Sequence, residues 1–336
     1  MSVTRLSDVI VPEIFFNYMA KDTMEKTQIF TSGILQGDAE LGAKLAGGGR
    51  TFNTPFWNDL DNTEGGIASD DPAVSSVPGN VNTGKDIARR QLRTRSWSTS
   101  DLTSVLAGSD PMARIQARVG DYWNRQFQRT LTSTLTGVAA SNVTNNAGDM
   151  VNDISNDLST PVTSAELISA EAIIDTAYTM GDNANVFKTI IMHSTVKKRL
   201  KKLNLIDFIP DSEGRIAFEY YLGYNVVEDD GVKTVTGANR VKYYTYLVGP
   251  GAFGWAEVPT ATPVEVRREP GQGNGMGVEI LYTRRQFAMH PKGIKFTDSS
   301  VTGEFPTNAE LALTNNWLRV YAERKQIPIA FLVTNG

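Results

Sequence analysis

The residues that come nearest to carrying chemistry are GNVNTGKD at positions 79–86, one residue away from a phosphate-binding loop of the form GxxxxGK followed by Ser or Thr. Such a loop needs a hydroxyl after the lysine to hold magnesium, and a buried strand ahead of it so that its amides point at the phosphates. Asp86 replaces that hydroxyl and Pro78 interrupts what precedes the loop, so nucleotide binding is not expected. The run GQGNGMG at 271–277 has glycines on alternate positions, but Met276 falls where a dinucleotide fingerprint needs its third glycine, and it reads as a turn. His193 and His290 are the only histidines, one at the start of a basic helix and one before Pro291. Neither has a second ligand at metal spacing. Asp229 and Asp230 sit together in a turn and read as structural, and no GxSxG motif is present. Without a cysteine there are no disulfides, thiol nucleophiles or thiolate metal sites. The chemistry-bearing residues therefore predict no enzyme, cofactor or metal.

The strongest structural signal is a helix. From Ser109 to Val138, apolar residues recur at Met112, Ile115, Val119, Tyr122, Trp123, Phe127, Leu131, Leu135 and Val138, in steps of three and four. Asp110 is placed to accept from the free N–H groups of the first turn, and Pro111 gives up an N–H that would have been unpaired there. About 27 residues at ~1.5 Å each make a rod of roughly 40 Å. Two readings fit it: a buried core helix of an ordinary α+β protein, or a spine laid across a thin, plate-like subunit. Arg114, Arg118, Arg125 and Arg129 gather opposite Ile115 and Val119, with Asp121 among them. A charged face is commonly a solvated one and does not decide between the two.

With 336 residues the chain can bury one large core or two smaller ones. Its 33 Lys and Arg against 37 Asp and Glu leave a net charge of −4, the wrong balance for a protein that works by neutralising phosphates. The first residues lack the basic region and long apolar core of a signal peptide, and no run of about 20 apolar residues exists to span a membrane. An intracellular protein, soluble when made, is expected.

Residues 1–20 mix apolar side chains with Pro12 and no clean period, the pattern of an arm that docks on something, and residues 20–35 suit a helix ending at Gly33. Between residues 47 and 98, GGG gives way to the strand-like TFNTPFW, then to an acidic, Gly- and Pro-punctuated tract with Asp59, Asp61, Glu64, Asp70 and Asp71. The tract returns as KDIARRQLRTRSW, where Lys85, Arg89, Arg90, Arg93 and Arg95 face a single acid, Asp86. Some fifty helix-free residues fit poorly inside a compact domain. They suit a two-stranded arm standing off the body, one limb acidic and one basic, which needs a partner because an isolated hairpin is marginal in water. An ordinary surface loop is the plain alternative.

A short helix is expected over residues 98–108 and a mobile, Asn- and Asp-rich hinge over 139–161. Thr163 and Glu166 form a capping box that opens a helix with Leu167, Ala170, Ile173, Ile174, Ala177 and Tyr178 on one side. An apolar run at 186–192, a basic helix at 196–203, and strands at 216–221, 224–227 and 241–248 complete an α/β region. Extended chain follows residue 277, then a helix over 306–317 and a closing strand over 327–333, hosted by the strands nearest the rod.

On these residues the chain resembles the major capsid proteins of tailed bacteriophages, with the Hong Kong 97-like fold. The likeness is carried by LSDVIVPE at 6–13, Ser96-Trp97, Asp101-Leu102, LAGSDP at 106–111, Tyr122-Trp123, His193-Ser194, YLGYNV at 221–226, RRQFAMHPKGIKF at 284–296 and NNW at 315–317, and covers nearly the full length. The resemblance implies an α+β fold with an N-terminal arm and helix at residues 1–46 and an extended E-loop at 47–98. It implies a P-domain at 99–150 and 285–336, with a spine helix at about 110–137 carrying Ile115, Val119, Trp123, Phe127 and Leu131, and an A-domain at 160–284. It further implies pentamers and hexamers of an icosahedral virion shell that encloses double-stranded DNA without reading its sequence, assembled in the host cytoplasm. Scaffolding, portal and decoration proteins are the partners it suggests, and no membrane is involved. No long charged helix precedes the arm, so a fused scaffolding segment is not expected.

Lys85, Arg89, Arg90, Arg93, Arg95, Asp59, Asp61 and Glu64 are expected to meet a neighbouring subunit, with reversal of Arg89, Arg90 and Arg93 blocking assembly but not folding. Lys85, the only lysine between Lys44 and Lys188, is the candidate for the arm-lysine cross-link of some relatives, although no catalytic glutamate or acceptor stands out. An encapsulin-like nanocompartment shell and a monomeric α+β enzyme are the rival readings.

Overall fold

A computed structural model describes residues 32–60, 63–107, 110–203, 205–210 and 216–336. The expected N-terminal arm, LSDVIVPE and nearly all of the helix expected at 20–35 lie outside them.

The fold is organised by one helix, Pro111–Asn145. The Asp110 side chain accepts from the Met112 N–H at 2.9 Å, and Pro111 takes the first position, so the sequence sets where the helix begins. Its two halves serve different sheets. Trp123 and Phe127 pack with Phe287, and Leu131, Leu135 and Val138 join a larger core with Phe331 and Tyr246. Three threonines are also buried in the second half; Thr132 and Thr134 donate to the Gln128 and Thr130 carbonyls one turn back, so no buried hydroxyl there goes unpaired. Ile115 and Val119, near the start, are only half-buried.

The first sheet contains β1 (Leu35–Gly37), β2 (Thr51–Trp57), β3 (Thr83–Ser100), β11 (Phe253–Val258), β12 (Val264–Glu269) and β13 (Val278–Pro291), in the order β1-β11-β13-β3-β2 with β12 also on β13. Strand periodicity divides its side chains cleanly. Trp255 and Phe287 turn to the long helix, while their neighbours Ala256 and Ala288 turn to the short helix Ala39–Ala46 with its Leu41 and Leu45.

The second sheet contains β4 (Val151–Asp153), β5 (Thr189–Met192), β6 (Asp207–Pro210), β7 (Ile216–Tyr221), β8 (Tyr224–Glu228), β9 (Thr234–Thr236), β10 (Val241–Val248) and β16 (Ile329–Thr334). Its order is β4-β16-β10-β5-β8-β7-β6, with β9 on β10. Ile329 and Phe331 of β16 face the long helix, whereas Ala330 and Leu332 face helices Ala170–Ala177 and Ser194–Lys202. A small two-stranded sheet, β14 (Ile294–Phe296) with β15 (Trp317–Arg319), closes over the long helix.

Several sequence expectations are corrected. The long helix runs on to Asn145, and the expected hinge is fastened down. Ser141 donates to the Trp317 carbonyl, Asn142 caps the following turn by accepting from Met150 N–H, and the Asp157 carboxylate accepts three backbone N–H groups of residues 238–240. These polar side chains hold backbone rather than loosen it. The helix expected over 98–108 is Asp101–Ala107, because residues 98–100 pair with Ile280, Glu279 and Val278 of β13. Thr163 and Glu166 do form a capping box, but on a single turn; a second start at Ser169, whose hydroxyl accepts from Ala172 N–H, opens the helix. Its buried face is Ala172, Ile173, Thr176 and Ala177, and Ile174 and Tyr178 are exposed. The helix expected over 306–317 shrinks to Asn308–Leu311 and a turn at Thr314–Asn316. The closing strand lies in the second sheet between β4 and β10, whose Tyr246 and Val248 pack against the long helix, in keeping with the expectation that strands near the rod host it; the boundary expected between 284 and 285, by contrast, falls inside β13.

Gly137 marks where the Leu311–Trp317 segment meets the long helix. A methyl group there would collide with the Leu311 carbonyl and the Trp317 indole, whose N–H donates to that carbonyl at 2.7 Å. Alanine is the better helix former by about 1 kcal/mol. The collision with backbone outweighs this, so Gly137→Ala is expected to cost a net of about 1–2 kcal/mol, read as a lower urea midpoint.

Candidate assembly surface: the arm and its root

β3 has two lives. From Arg90 to Ser100 it lies inside the first sheet against β13, with Ala288 opposite Arg90 as the last pair. From Arg89 back to Thr83 it pairs with β2, Thr51 opposite Arg89 and Trp57 opposite Thr83. This two-stranded stem leaves the body and carries residues 58–82. Outside 61 and 62, all of them are exposed and none lies in a helix or strand. Local bonds shape the segment only in places, such as Asp71 accepting from Ala73 N–H.

The tip carries large apolar side chains in water: Trp57 is 73 % exposed, Ile67 93 % and Val77 93 %, with Leu60 and Val74 also open. Single exposed apolar residues are ordinary, but a run of them on a segment without a core of its own marks a surface made to be covered. Asp59 and Glu64 are exposed on the tip, and Lys85 and Arg95 on β3; Asp61 lies outside the described residues.

The remaining basic residues behave differently from expectation. Arg89 is buried, pairs with Asp298 at 2.9 Å and donates to the Glu304 carbonyl. Arg90 donates to the Leu45 and Gly47 carbonyls, and Arg93 to Pro306 O and Asn308 Oδ1. These three guanidinium groups therefore tie the arm's root to its own body. Nothing local in the sequence distinguishes them from Lys85 or Arg95, because every partner lies far along the chain. Of the spine arginines, Arg118 meets Asp121 one turn on at 2.6 Å.

The loop that receives Arg89 and Arg93 is stapled by Glu310, whose carboxylate accepts from the N–H and hydroxyl groups of both Thr302 and Thr307. The Thr307 and Thr302 amides, with the two hydroxyls, hold its pKa down to about 2 from an ordinary 4.5. The folded pKa is depressed, so the stabilisation is complete above about 4.5 and is lost as pH falls from there through about 2. Glu310→Gln is expected to lower the urea midpoint at neutral pH and to flatten its pH dependence between about 4.5 and 2, which a denaturation series would show.

The rejected motifs prove structural. Gly84 lies against the Phe56 ring, which leaves no room for a side chain, and residues 271–277 form the turn between β12 and β13 with three glycines and Asn274 at positive φ. His193 caps the helix Ser194–Lys202 by accepting from Thr195 N–H. Asp229 is buried, accepting from Gln128 and from Gly231 N–H. Among the described residues, no group of three metal-ligating side chains occurs and no helix is long and apolar enough to cross a membrane.

The chain is 39 % identical over 329 residues to the major capsid protein of Bacillus phage SPP1, covering 97 % of this chain and 96 % of that one. Its structure is similar to the capsid of Ralstonia phage GP4, with a TM-score of 0.61 at 10 % identity over 100 % of this chain and 98 % of the other. It is also similar to the capsid of cyanophage Pam1, with a TM-score of 0.60 at 11 % identity over 97 % and 98 %. No family model matches.

Proposed function

The chain belongs to the phage major capsid proteins and has their Hong Kong 97-like fold, and from that premise we propose that it builds an icosahedral shell of pentamers and hexamers around double-stranded DNA. Its role is structural: it is a shell-forming component of a virion. The observation that carries the finer reading is the run of exposed apolar side chains on the tip at residues 58–82, a segment with no helix or strand among its described residues. The tip lies over a neighbouring subunit, where Trp57, Leu60, Ile67, Val74 and Val77 become buried and Asp59, Glu64, Lys85 and Arg95 meet charges of that neighbour. Surface ion pairs contribute only about 0–1 kcal/mol each. Closed symmetry repeats every contact, and apolar burial adds roughly 25 cal/mol per Å², so weak contacts sum to a stable shell.

In this reading residues 1–46 are the N-arm and its helix and 47–98 the E-loop. The P-domain is the long helix with the strands of the first sheet that follow it in the chain, and the A-domain is the second sheet with its outer helices. Its net charge of −4 suits a wall that encloses DNA without gripping it. Assembly takes place in the host cytoplasm with scaffolding, portal and decoration proteins as partners. Electron cryomicroscopy of particles from infected cells tests the reading: five- and six-fold capsomers around DNA, with residues 58–82 on an adjacent subunit, are expected. A tip folded back on its own subunit would contradict it.

A further inference from the structure

We propose that Asn274 is a self-modifying site, converting without an enzyme to aspartate and isoaspartate at the end of the β12–β13 hairpin. The chain has two Asn-Gly pairs, 274–275 and 335–336, and the fold treats them oppositely. The reversal between β12 and β13 brings Asn274 and Gly275 to φ of 57° and 91°. Positive φ at both central residues is the pattern of a type I′ turn, and Asn followed by Gly meets it at the least steric cost. The turn is closed around them by Met276 N–H donating to the Gly273 carbonyl at 3.4 Å and by Gly277 N–H donating to the Gln272 carbonyl at 2.9 Å. Neither bond engages the Gly275 N–H or the Asn274 side chain. Both residues are exposed, and a Cβ at Gly275 would meet nothing within 4 Å.

Asn335 carries the same pair of groups under lock. Its side-chain amide donates to the Asn156 carbonyl at 3.0 Å and the Val241 carbonyl at 3.2 Å, and its oxygen accepts from Asn156 N–H at 2.8 Å. The Asn335 N–H donates to the Glu166 carbonyl, and the Gly336 N–H, the would-be nucleophile, donates to the Thr334 hydroxyl at 3.4 Å. At Asn274 the reacting groups carry no such bonds. The Gly275 nitrogen gives its proton to hydroxide and attacks Asn274 Cγ; the Cγ–Nδ2 bond breaks, and Nδ2 leaves as ammonia after taking a proton from water. A five-membered succinimide results, and water then adds to one of its two carbonyl carbons. Breaking the Cγ–N bond gives aspartate, while breaking the backbone C–N bond gives isoaspartate, whose chain runs through Cγ. The balance is one water consumed and one ammonia released, with a carboxylate in place of a neutral amide. That charge adds to the subunit's −4, on a turn whose last residue, Gly277, borders the Asp101–Arg268 pair. Strand β12 is exposed from Val264 to Arg268 and has β13 as its one strand partner among the described residues, so the hairpin takes up the altered turn without disturbing either large core. What the added charge does to a shell rests on the proposed function; the conversion itself belongs to the subunit.

Incubating the purified full chain in heavy-oxygen water at mildly alkaline pH, then digesting it and weighing the peptides that hold residues 274 and 335, tests the proposal. Asn274 is expected to take up heavy oxygen at least roughly tenfold faster than Asn335, which reacts only after local opening. Enzymatic methyl labelling of isoaspartate should fall on residue 274. In guanidinium chloride Asn335 is expected to accelerate strongly and Asn274 to change little. Conversion of Asn274 no faster than that of Asn335 in the folded chain, or equal acceleration of the two on unfolding, overturns the proposal. The readout needs no shell, so it stands or fails apart from the proposed function.

Discussion

Replacing Arg89 with glutamate is expected to destabilise the folded subunit strongly, by about 3 kcal/mol, rather than to leave its stability untouched and block assembly alone. Arg89 is 4 % exposed, and its guanidinium holds Asp298 and the Glu304 carbonyl, both on the loop that closes over the arm's root. The substitution sets two carboxylates against each other and takes the guanidinium donor away from the Glu304 carbonyl. Breaking a buried pair in this way costs about 3–5 kcal/mol, and the partial exposure of Asp298 places the loss toward the lower end. That is a large share of the ~5–15 kcal/mol that holds a folded domain together. Arg95→Glu, on the same strand but exposed, is expected to leave the unfolding free energy from urea titration within about 0.5 kcal/mol of wild type. Equal destabilisation by the two would mean that the burial of Arg89 is not what matters.

Removing the arm's tip is expected to do the opposite. If residues 58–82 are replaced by a short Gly-Ser turn joining Trp57 to Thr83, β2 and β3 keep their pairing, and none of the described tip residues belongs to a hydrophobic core cluster. Thermal unfolding should shift by only a few degrees, while closed particles should fall below about one in a hundred of the wild-type yield. The reasoning is additive: each contact is weak, but losing the tip removes one from every subunit of the shell at once. Shells formed at wild-type yield would show that the tip is not the assembly contact.

The two variants separate what the sequence made legible from what it did not. The helix start at Asp110 and Pro111 is local chemistry, and the apolar steps from Met112 to Val138 follow a period that tertiary structure left in place. The strands at 216–221, 224–228 and 241–248 were readable for the same reason. The arm was visible as a long helix-free tract. Hidden were the features decided at a distance. Ser141 and Asn142 look like hinge residues until Trp317 and Met150 arrive to use them. Arg89 looks like any other basic residue of the arm until Asp298 and Glu304 fold over it. Asp86 and His290 stand 204 positions apart in the chain, so only the fork between β2 and β13 brings them together. The break at Leu167 was hidden differently: a genuine capping box opened one turn, and Ser169 then offered a second start that buries Ile173.

The central claim is that this chain is built to be one tile of a closed shell, with a folded body that is complete by itself and an arm that is not. Analytical ultracentrifugation of the purified wild-type chain, with negative-stain micrographs of the sedimenting fraction, tests it most directly. Fast-sedimenting, closed particles of uniform diameter are expected from the wild-type chain and not from the tip-deleted one. A wild-type chain that stays a 36.8 kDa monomer at every concentration and in the presence of scaffolding protein would contradict it.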